Sequence, residues 1–200
     1  MLTVLIPYYN TRPEHFAEAL YSILNQTYRN FSVIIIDDGS DVPLDISNIK
    51  SDIPIKLIRI ENNQGTAAAL NEGHKHVQTD FVAIMGSDDY SHPERFKIQM
   101  EYLANNPGVD VLGTNLFAYW NCDMWRKPIF TTDHKHIPIR EDWPVNHGTV
   151  IYRNSAVMAV GGYNVTYKRG QDVELWKRMR ANGSVFRNIE QVLYSYRRYK

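Results

Sequence analysis

Two short apolar runs in this chain each lead into a pair of aspartates. Val33-Ile34-Ile35-Ile36 ends on Asp37-Asp38, and Phe81-Val82-Ala83-Ile84-Met85 is followed, after Gly86-Ser87, by Asp88-Asp89. Apolar runs of this length, bounded by turn residues, read as strands buried on both faces. Such a sheet needs helices on both sides, and in open α/β sheets ligands bind in the crevice beyond the carboxyl ends of the strands. Both acidic pairs therefore stand where a ligand site forms.

The rest of the chain alternates in keeping with this. A strand over 3–7 leads into a helix over 13–26, where Phe16, Leu20, Ile23 and Leu24 recur at helical spacing and Pro13 suits the first turn. A strand at 31–37, a loop from Gly39 to Pro54, a strand at 55–60 and a helix at 65–77 follow. Next come a strand at 80–85, a helix opening at Pro93 and reaching 105, and a strand at 109–113. Residues 114–146 show no clear period and carry Trp120, Trp125 and Trp143, whose rings suit stacking on a sugar or burial in a core. Order resumes with a strand at 149–152, a short helix at 154–159, the turn Gly161-Gly162, a helix at 172–182 and strands at 184–188 and 192–197. The pattern predicts a single α/β domain with a Rossmann-like, mostly parallel central sheet flanked by helices.

Composition removes several classes of function. Lys plus Arg and Asp plus Glu both total 22, so no basic field exists to hold nucleic acid or anionic lipid. Cys122 is the single cysteine, which excludes an intrachain disulfide and a multi-cysteine zinc cluster and fits a reducing compartment. Met1 to Ile6 is stopped by Pro7 and has no basic flank or cleavage site, so it reads as a strand rather than a leader. No run approaches the roughly 18 apolar residues of a spanning helix. The expectation is a cytoplasmic protein without an integral membrane segment, alone or as one module of a longer polypeptide.

Residue types suggest chemistry before any resemblance is invoked. Hard cations such as Mg²⁺ or Mn²⁺ bind through one or two carboxylates plus substrate phosphates, which suits Asp88-Asp89 at a strand end. Asp88 equally suits the cap of a helix opening at Pro93, and Asp37-Asp38-Gly39-Ser40 is also an ordinary turn sequence. From Asn62 to Gly73, a glycine at 65 opens a helix whose free N–H groups favour an anion; plain capping, closed by Gly73, fits the same residues. Neither a Gly-x-x-x-x-Gly-Lys-Ser/Thr loop nor a Gly-x-Gly-x-x-Gly turn after the first strand is present, and Pro7 to Thr11 offers no glycine-rich basic loop for a nucleotidyltransferase triphosphate.

In order along the chain stand Leu5-Ile6-Pro7-Tyr8-Tyr9-Asn10, Ser22 to Tyr28, Asp37-Asp38-Gly39-Ser40, Asn63 to Gly73 and Ser87-Asp88-Asp89 with Pro93. His147-Gly148-Thr149-Val150-Ile151-Tyr152-Arg153, Gly161-Gly162-Tyr163 and Gln171-Asp172-Val173-Glu174-Leu175-Trp176 complete the series. The set resembles the family-2 glycosyltransferases and covers nearly the whole chain. The resemblance implies a GT-A fold and a metal-dependent, inverting transfer of sugar from a nucleotide-sugar donor, UDP-linked, to a hydroxyl of a glycan or glycoconjugate acceptor. It places the nucleotide-sugar half in residues 1–113 and the acceptor half in 114–200. Donor binding falls to Pro7, Tyr9, Asp37, Asp38, Asn63, Gly65, Ser87 and Asp88, with Asp38 on the base; a divalent metal, Mn²⁺ or Mg²⁺, falls to Asp88 and Asp89. Asp172 matches the general base, and His147 and Trp176 fall on the acceptor side.

This chain departs from the family pattern at four places. Gly86 stands where relatives carry the first acid of Asp-x-Asp, Leu70 replaces an arginine, Gln171 replaces the acid before the base, and Tyr199 replaces a histidine. Gly86 and Gln171 keep open a second reading, a sugar-nucleotide-binding module without turnover. Arg197 and Arg198 are placed to approach a diphosphate or simply to be solvated.

Overall fold

Strict alternation in two central strands sets the architecture. Leu2–Tyr8 (β1) and Phe31–Asp38 (β2) pair in parallel, with Val4 opposite Val33 and Ile6 opposite Ile35. Successive side chains point to opposite faces. Leu2, Val4, Ile6, Val33 and Ile35 enter one core, and Leu5, Ile34 and Ile36 enter the other. The computed structural model describes residues 1–120 and 145–199.

One eight-stranded sheet runs through the described residues in the order β3-β2-β1-β4-β7-β6-β8-β5. The further strands are Ile55–Ile60 (β3), Phe81–Ile84 (β4), Tyr90–Ser91 (β5), Val111–Trp120 (β6), Ile151–Arg153 (β7) and Phe186–Arg198 (β8). β3, β2, β1 and β4 are parallel neighbours in that order, as are β6 and β8; β7 lies antiparallel between β4 and β6, and β5 antiparallel beside β8. The helices are Pro13–Leu24 (α1), Thr66–His74 (α2), Arg95–Asn105 (α3), Asn154–Ala159 (α4) and Gln171–Ala181 (α5). Phe16 and Ile23 of α1 and Phe96 and Leu103 of α3 fill the first core; Ala67 and Leu70 of α2, Val157 of α4 and Leu175 and Trp176 of α5 fill the second.

Helix α1 buries Phe16, Ala19, Leu20 and Ile23, one face at i, i+3, i+4 and i+7, and Pro13 sits at its start. It stops at Leu24, short of the expected residue 26, because Gln26 turns inward. Gln26 Oε1 accepts the Phe96 N–H at 3.0 Å, and its Nε2 donates to His92 O at 2.7 Å and Ser22 O at 3.0 Å, tying α1 to the start of α3. Glycine at 73 does not terminate α2; it lies inside the helix, where a Cβ would meet Ile36 Cδ1 at 2.9 Å and Leu5 Cδ2 at 3.2 Å. Its role is close approach of α2 to the sheet.

The largest departure from the sequence reading lies at the carboxyl end. The expected strands at 184–188 and 192–197 form one strand, β8, lying beside a β6 that continues well past residue 113. The pairing carries register shifts at Thr114/Asn115 and Asn115/Leu116, irregularities that let a long pair bend and that blur the period in the sequence. Trp125 and Trp143 lie outside the described residues. Among the described residues, no helix is long and apolar enough to cross a membrane.

Candidate active site

The carboxyl ends of β1, β2 and β4 open on one cleft. Its main cavity, 610 Å³, is lined by Pro7 of β1, by Ser87, Asp88 and Asp89 of the loop after β4, by Thr66 at the start of α2, and by His147, Lys168, Gly170, Asp172 and Arg198 from the second half. A recess of 240 Å³, lined by Pro7, Tyr9, Asp38, Thr66, Ser87 and Asp88, shares residues with it. The main cavity is of the size of small-molecule and cofactor sites. Asp38, Asp88 and Asp172, far apart in the chain, thus meet along one continuous cleft.

The two aspartates that end β2 have opposite fates because neighbouring strand residues face opposite sides. Asp37 follows Val33 and Ile35 and is fully buried. Its carboxylate accepts the amides of Ser40 and Leu44, each at 3.0 Å, and an Arg59 guanidinium N–H at 2.5 Å. Burial pushes its pKa up, but hydrogen bonds from Ser40, Leu44 and Arg59 outweigh that and hold it below the usual carboxylate range. Asp37, assigned to donor binding by resemblance, is instead the anchor of the loop after β2.

Asp38 faces the α2 side and is 3% exposed. Oδ1 accepts Gln64 N–H at 2.9 Å; Oδ2 accepts Gly65 N–H at 2.7 Å and Asn63 Nδ2–H at 3.1 Å. A carboxylate has about four acceptor sites, so one on Oδ1 remains for a ligand donor. Asn63 and Gly65 therefore act through Asp38. Gly65 reaches this position with φ 94° and ψ 162°, a region open to glycine. The contact is close: a Cβ on Gly39 would stand 2.5 Å from Asn63 N.

The second acidic pair splits in the same way. Asp89 is 4% exposed and turned inward, accepting the Tyr194 hydroxyl at 2.7 Å and the Arg197 amide at 2.8 Å. Burial, reinforced by the neighbouring Asp88 charge, pushes its pKa up to about 7 against the pull of Tyr194 and Arg197. As a metal ligand it is a poor candidate, because its oxygens are committed within the protein. Asp88 is half-buried and lines the cleft; its Oδ2 accepts the Tyr199 hydroxyl at 2.6 Å. It does not cap a helix, since α3 begins only at Arg95. Ser87 shares a hydrogen bond with Thr11 at 2.6 Å, joining the β4 loop to the β1 loop.

Gly86 explains why the first acid of the Asp-x-Asp pattern is missing. A Cβ there would lie 2.3 Å from Asp89 Oδ2, so the space belongs to the inward carboxylate. Arg197 is buried rather than diphosphate-facing: its guanidinium pairs with Glu18, donates to Asp88 O at 2.8 Å and sits 5.0 Å over the Tyr119 ring. Arg198 does line the cleft, as do Lys168 and Arg169. Behind them Arg95, fully buried, donates to Ile84 O and Val150 O and lies 5.1 Å from the Tyr194 ring. Nothing in its spacing distinguished Arg95 from a surface arginine.

Asp172 occupies the first turn of α5, after Gly170 in a left-handed conformation (φ 70°). It is 8% exposed, and no described residue donates a hydrogen bond to its carboxylate. His147, in a 3-10 turn over His147–Thr149, lines the same cavity and feels the Asp172 charge; burial lowers its pKa and Asp172 raises it. Trp176, expected on the acceptor side, is instead wholly buried, its ring 5.8 Å from Phe186 and 6.3 Å from Tyr152. It lies one turn beyond Asp172 and points into the second core.

An α/β sheet with acidic strand ends opening on one cleft, faced by a helix-borne carboxylate, is the arrangement of a GT-A fold. The chain belongs to glycosyl transferase family 2, a family of glycosyltransferases whose model matches residues 3–175. It is 31% identical over 201 residues to the Escherichia coli UDP-Gal:alpha-D-GlcNAc-diphosphoundecaprenol beta-1,3-galactosyltransferase, covering 95% of this chain and 71% of that relative. The fold matches Staphylococcus aureus TarS 1-349 in complex with UDP-GlcNAc (TM-score 0.77, 21% identity, 100% of this chain and 59% of that one). It also matches the mannosyltransferase PcManGT from Pyrobaculum calidifontis in complex with GDP-Man and Mn²⁺ (TM-score 0.74, 18% identity, 97% of this chain and 56% of that one). The chain thus spans under two thirds of those two solved chains.

Proposed function

We propose that this chain carries the donor site and general base of an inverting, metal-dependent glycosyltransferase. It would move a sugar from a UDP-sugar to a hydroxyl of a glycan or glycoconjugate in polysaccharide assembly in the cytoplasm. The observation that carries this reading is the single cleft shared by Asp38, Asp88 and Asp172. The named UDP- and GDP-sugar complexes of fold neighbours support the donor class.

Each part of the cleft has a task in this reading. The free acceptor site on Asp38 takes the imide N–H of uracil, and a base without that donor leaves a buried carboxylate oxygen unpaired. Pro7, Tyr9 and Thr66 wall the recess that holds the base and ribose. Lys168, beside Gln64 and Gly65, and Arg198, beside Asp88, offset diphosphate charge. Residues 1–113 then serve the donor and 114–200 the acceptor, with Lys168 and Arg198 of the second half reaching back to the diphosphate.

Among the described residues there is no cluster of three metal-binding side chains. The donor set suits a hard cation held by one carboxylate, Asp88, with diphosphate and water supplying the other oxygens. When bound, a divalent ion offsets charge on the departing nucleoside diphosphate. Asp172, to whose carboxylate no described residue donates a hydrogen bond, removes the proton from the attacking acceptor hydroxyl, and single displacement inverts the anomeric carbon.

A thermal-shift panel of nucleoside diphosphates and UDP-sugars, with and without Mn²⁺, tests the donor site, because a ligand of the native state raises apparent stability. Selective, metal-dependent stabilisation by UDP and one UDP-sugar is expected. UDP release requiring acceptor and metal, and lost in Asp172→Asn, identifies the enzyme; metal-dependent UDP binding without turnover identifies a binding module. Indifference to every nucleotide overturns both.

A further inference from the structure

Behind the cleft, buried polar side chains form a chain that the donor chemistry does not use. Asn154 Oδ1 lies 2.8 Å from His74 Nδ1, and His74 Nε2 lies 2.9 Å from the Tyr152 hydroxyl. The Tyr152 and Tyr163 hydroxyls are 3.4 Å apart, and Tyr163 Oη is 2.8 Å from His147 Nε2. His74, Tyr152 and Tyr163 are buried, and they do not line the cavity that His147 and Asp172 share.

The chain is held by three separate elements. Gly161 and Gly162 both take left-handed φ, 83° and 73°, and a Cβ on Gly162 would stand 2.7 Å from Asn71 Oδ1. That close approach lets Asn71 of α2 accept the Tyr163 amide and donate to Tyr163 O, each at 2.8 Å. Arg178 of α5 donates to Gly162 O at 2.8 Å, so the helix carrying Asp172 is tied to the same turn.

Donor and acceptor arithmetic gives the chain a direction. An amide oxygen only accepts, so His74 carries its proton on Nδ1 and, neutral, offers a bare Nε2. Burial lowers the His74 pKa and favours that neutral form. Tyr152 then spends its one hydrogen on His74 and accepts from Tyr163, which in turn accepts from His147 Nε2–H. We propose that this buried chain fixes neutral His147 as the Nε2–H tautomer, its only ring proton turned to Tyr163, so that the imidazole makes no hydrogen bond to Asp172. Tyr163 and His74 are thereby positioning residues for the base. Asp172 stays free for the acceptor hydroxyl, since a hydrogen bond to a carboxylate favours the charged form and weakens it as a base.

The role of the tautomer rests on Asp172 being the base, whereas the tautomer itself does not. Long-range ¹H–¹⁵N correlation of histidine-labelled protein at pH 7.5, assigned through His147→Gln, reads the ring directly. Wild type is expected to show neutral Nε2–H at His147, and Tyr163→Phe to show Nδ1–H or an exchanging mixture. In Tyr163→Phe, kcat is expected to fall about tenfold, the effect of a hydrogen bond to a charged group. Donor KM should stay within about twofold, because only uniform binding would move it. His74→Gln, remote from the cavity, is expected to shift the same resonances if Tyr163→Phe folds poorly. Nδ1–H or imidazolium at His147 in the wild type, or a ring unchanged in both variants, overturns the proposal. The predicted tautomer change with unchanged kcat overturns the role of Asp172 as base and, with it, the catalytic half of the proposal.

Discussion

Gly86→Ala asks whether the inward carboxylate of Asp89 is what excludes a side chain at this position. The added Cβ would stand 2.3 Å from Asp89 Oδ2, 3.0 Å from Asp89 Cγ and 3.3 Å from Tyr194 Oη. Gly86 has no left-handed φ, so the cost is steric rather than conformational. Relief requires Asp89 to leave Tyr194 or the Arg197 amide, its two partners. Overpacking costs about 1–3 kcal/mol and a lost hydrogen bond to a charged group about 1.5–3 kcal/mol, together about 2.5–6 kcal/mol. For a chain of this size that lowers Tm by about 10 °C, given roughly 2–4 °C per kcal/mol. Gly183→Ala is the control: φ is 87°, nothing lies within 4 Å of its Cβ, and left-handed strain alone costs about 1–2 kcal/mol. Urea and thermal unfolding followed by tryptophan fluorescence measure both. A Gly86→Ala variant no less stable than Gly183→Ala would refute steric exclusion by Asp89.

Other perturbations probe separate parts of the account. Trp176→Ala should lose about 3–5 kcal/mol of stability in urea titrations, as for a buried core aromatic; a loss below about 1 kcal/mol would return Trp176 to the acceptor site. Asp88→Asn should abolish the Mn²⁺-dependent gain in UDP affinity by calorimetry while Asp89→Asn retains it, and the reverse pattern would reassign the metal ligand. His74 is buried with a lowered pKa, so it contributes stability above its unfolded value that is lost as pH falls through that value toward the lower folded one. The stability difference between wild type and His74→Gln should therefore shrink by up to about 1.4 kcal/mol per pH unit below about 6.5; a difference independent of pH from 5 to 8 would contradict the burial argument.

Much of the fold was legible because the strands announce themselves: β1 and β2 are apolar on both faces, and the helices carry plain amphipathic spacing. The meeting of strand ends on one cleft followed from that layering. Which carboxylate of each pair faces the cleft did not, although period 2 offered a clue at the first pair. Asp37 continues the face of Ile35 and Asp38 that of Ile36, the side on which α2 packs. At Asp88-Asp89 the chain has left β4, so no period applies. Long-range polar links were also hidden. Gln26 bonded to Phe96, Arg95 to Ile84 and Val150, and His147 to Tyr163 are side chains whose types alone suggest exposed helix or loop positions. Trp176 misled because one helix presents Asp172 to the cleft and Trp176 to the core, and the first turn alone does not say where the face changes.

A crystal structure with UDP and Mn²⁺ bound tests the central claim most directly. The uracil imide should lie against Asp38 Oδ1, the diphosphate and metal beside Asp88, and Asp172 should face the open side of the donor across the same cleft. Density for UDP away from Asp38 and Asp88, for instance in the 840 Å³ apolar groove between Phe16 and Val42, would contradict it.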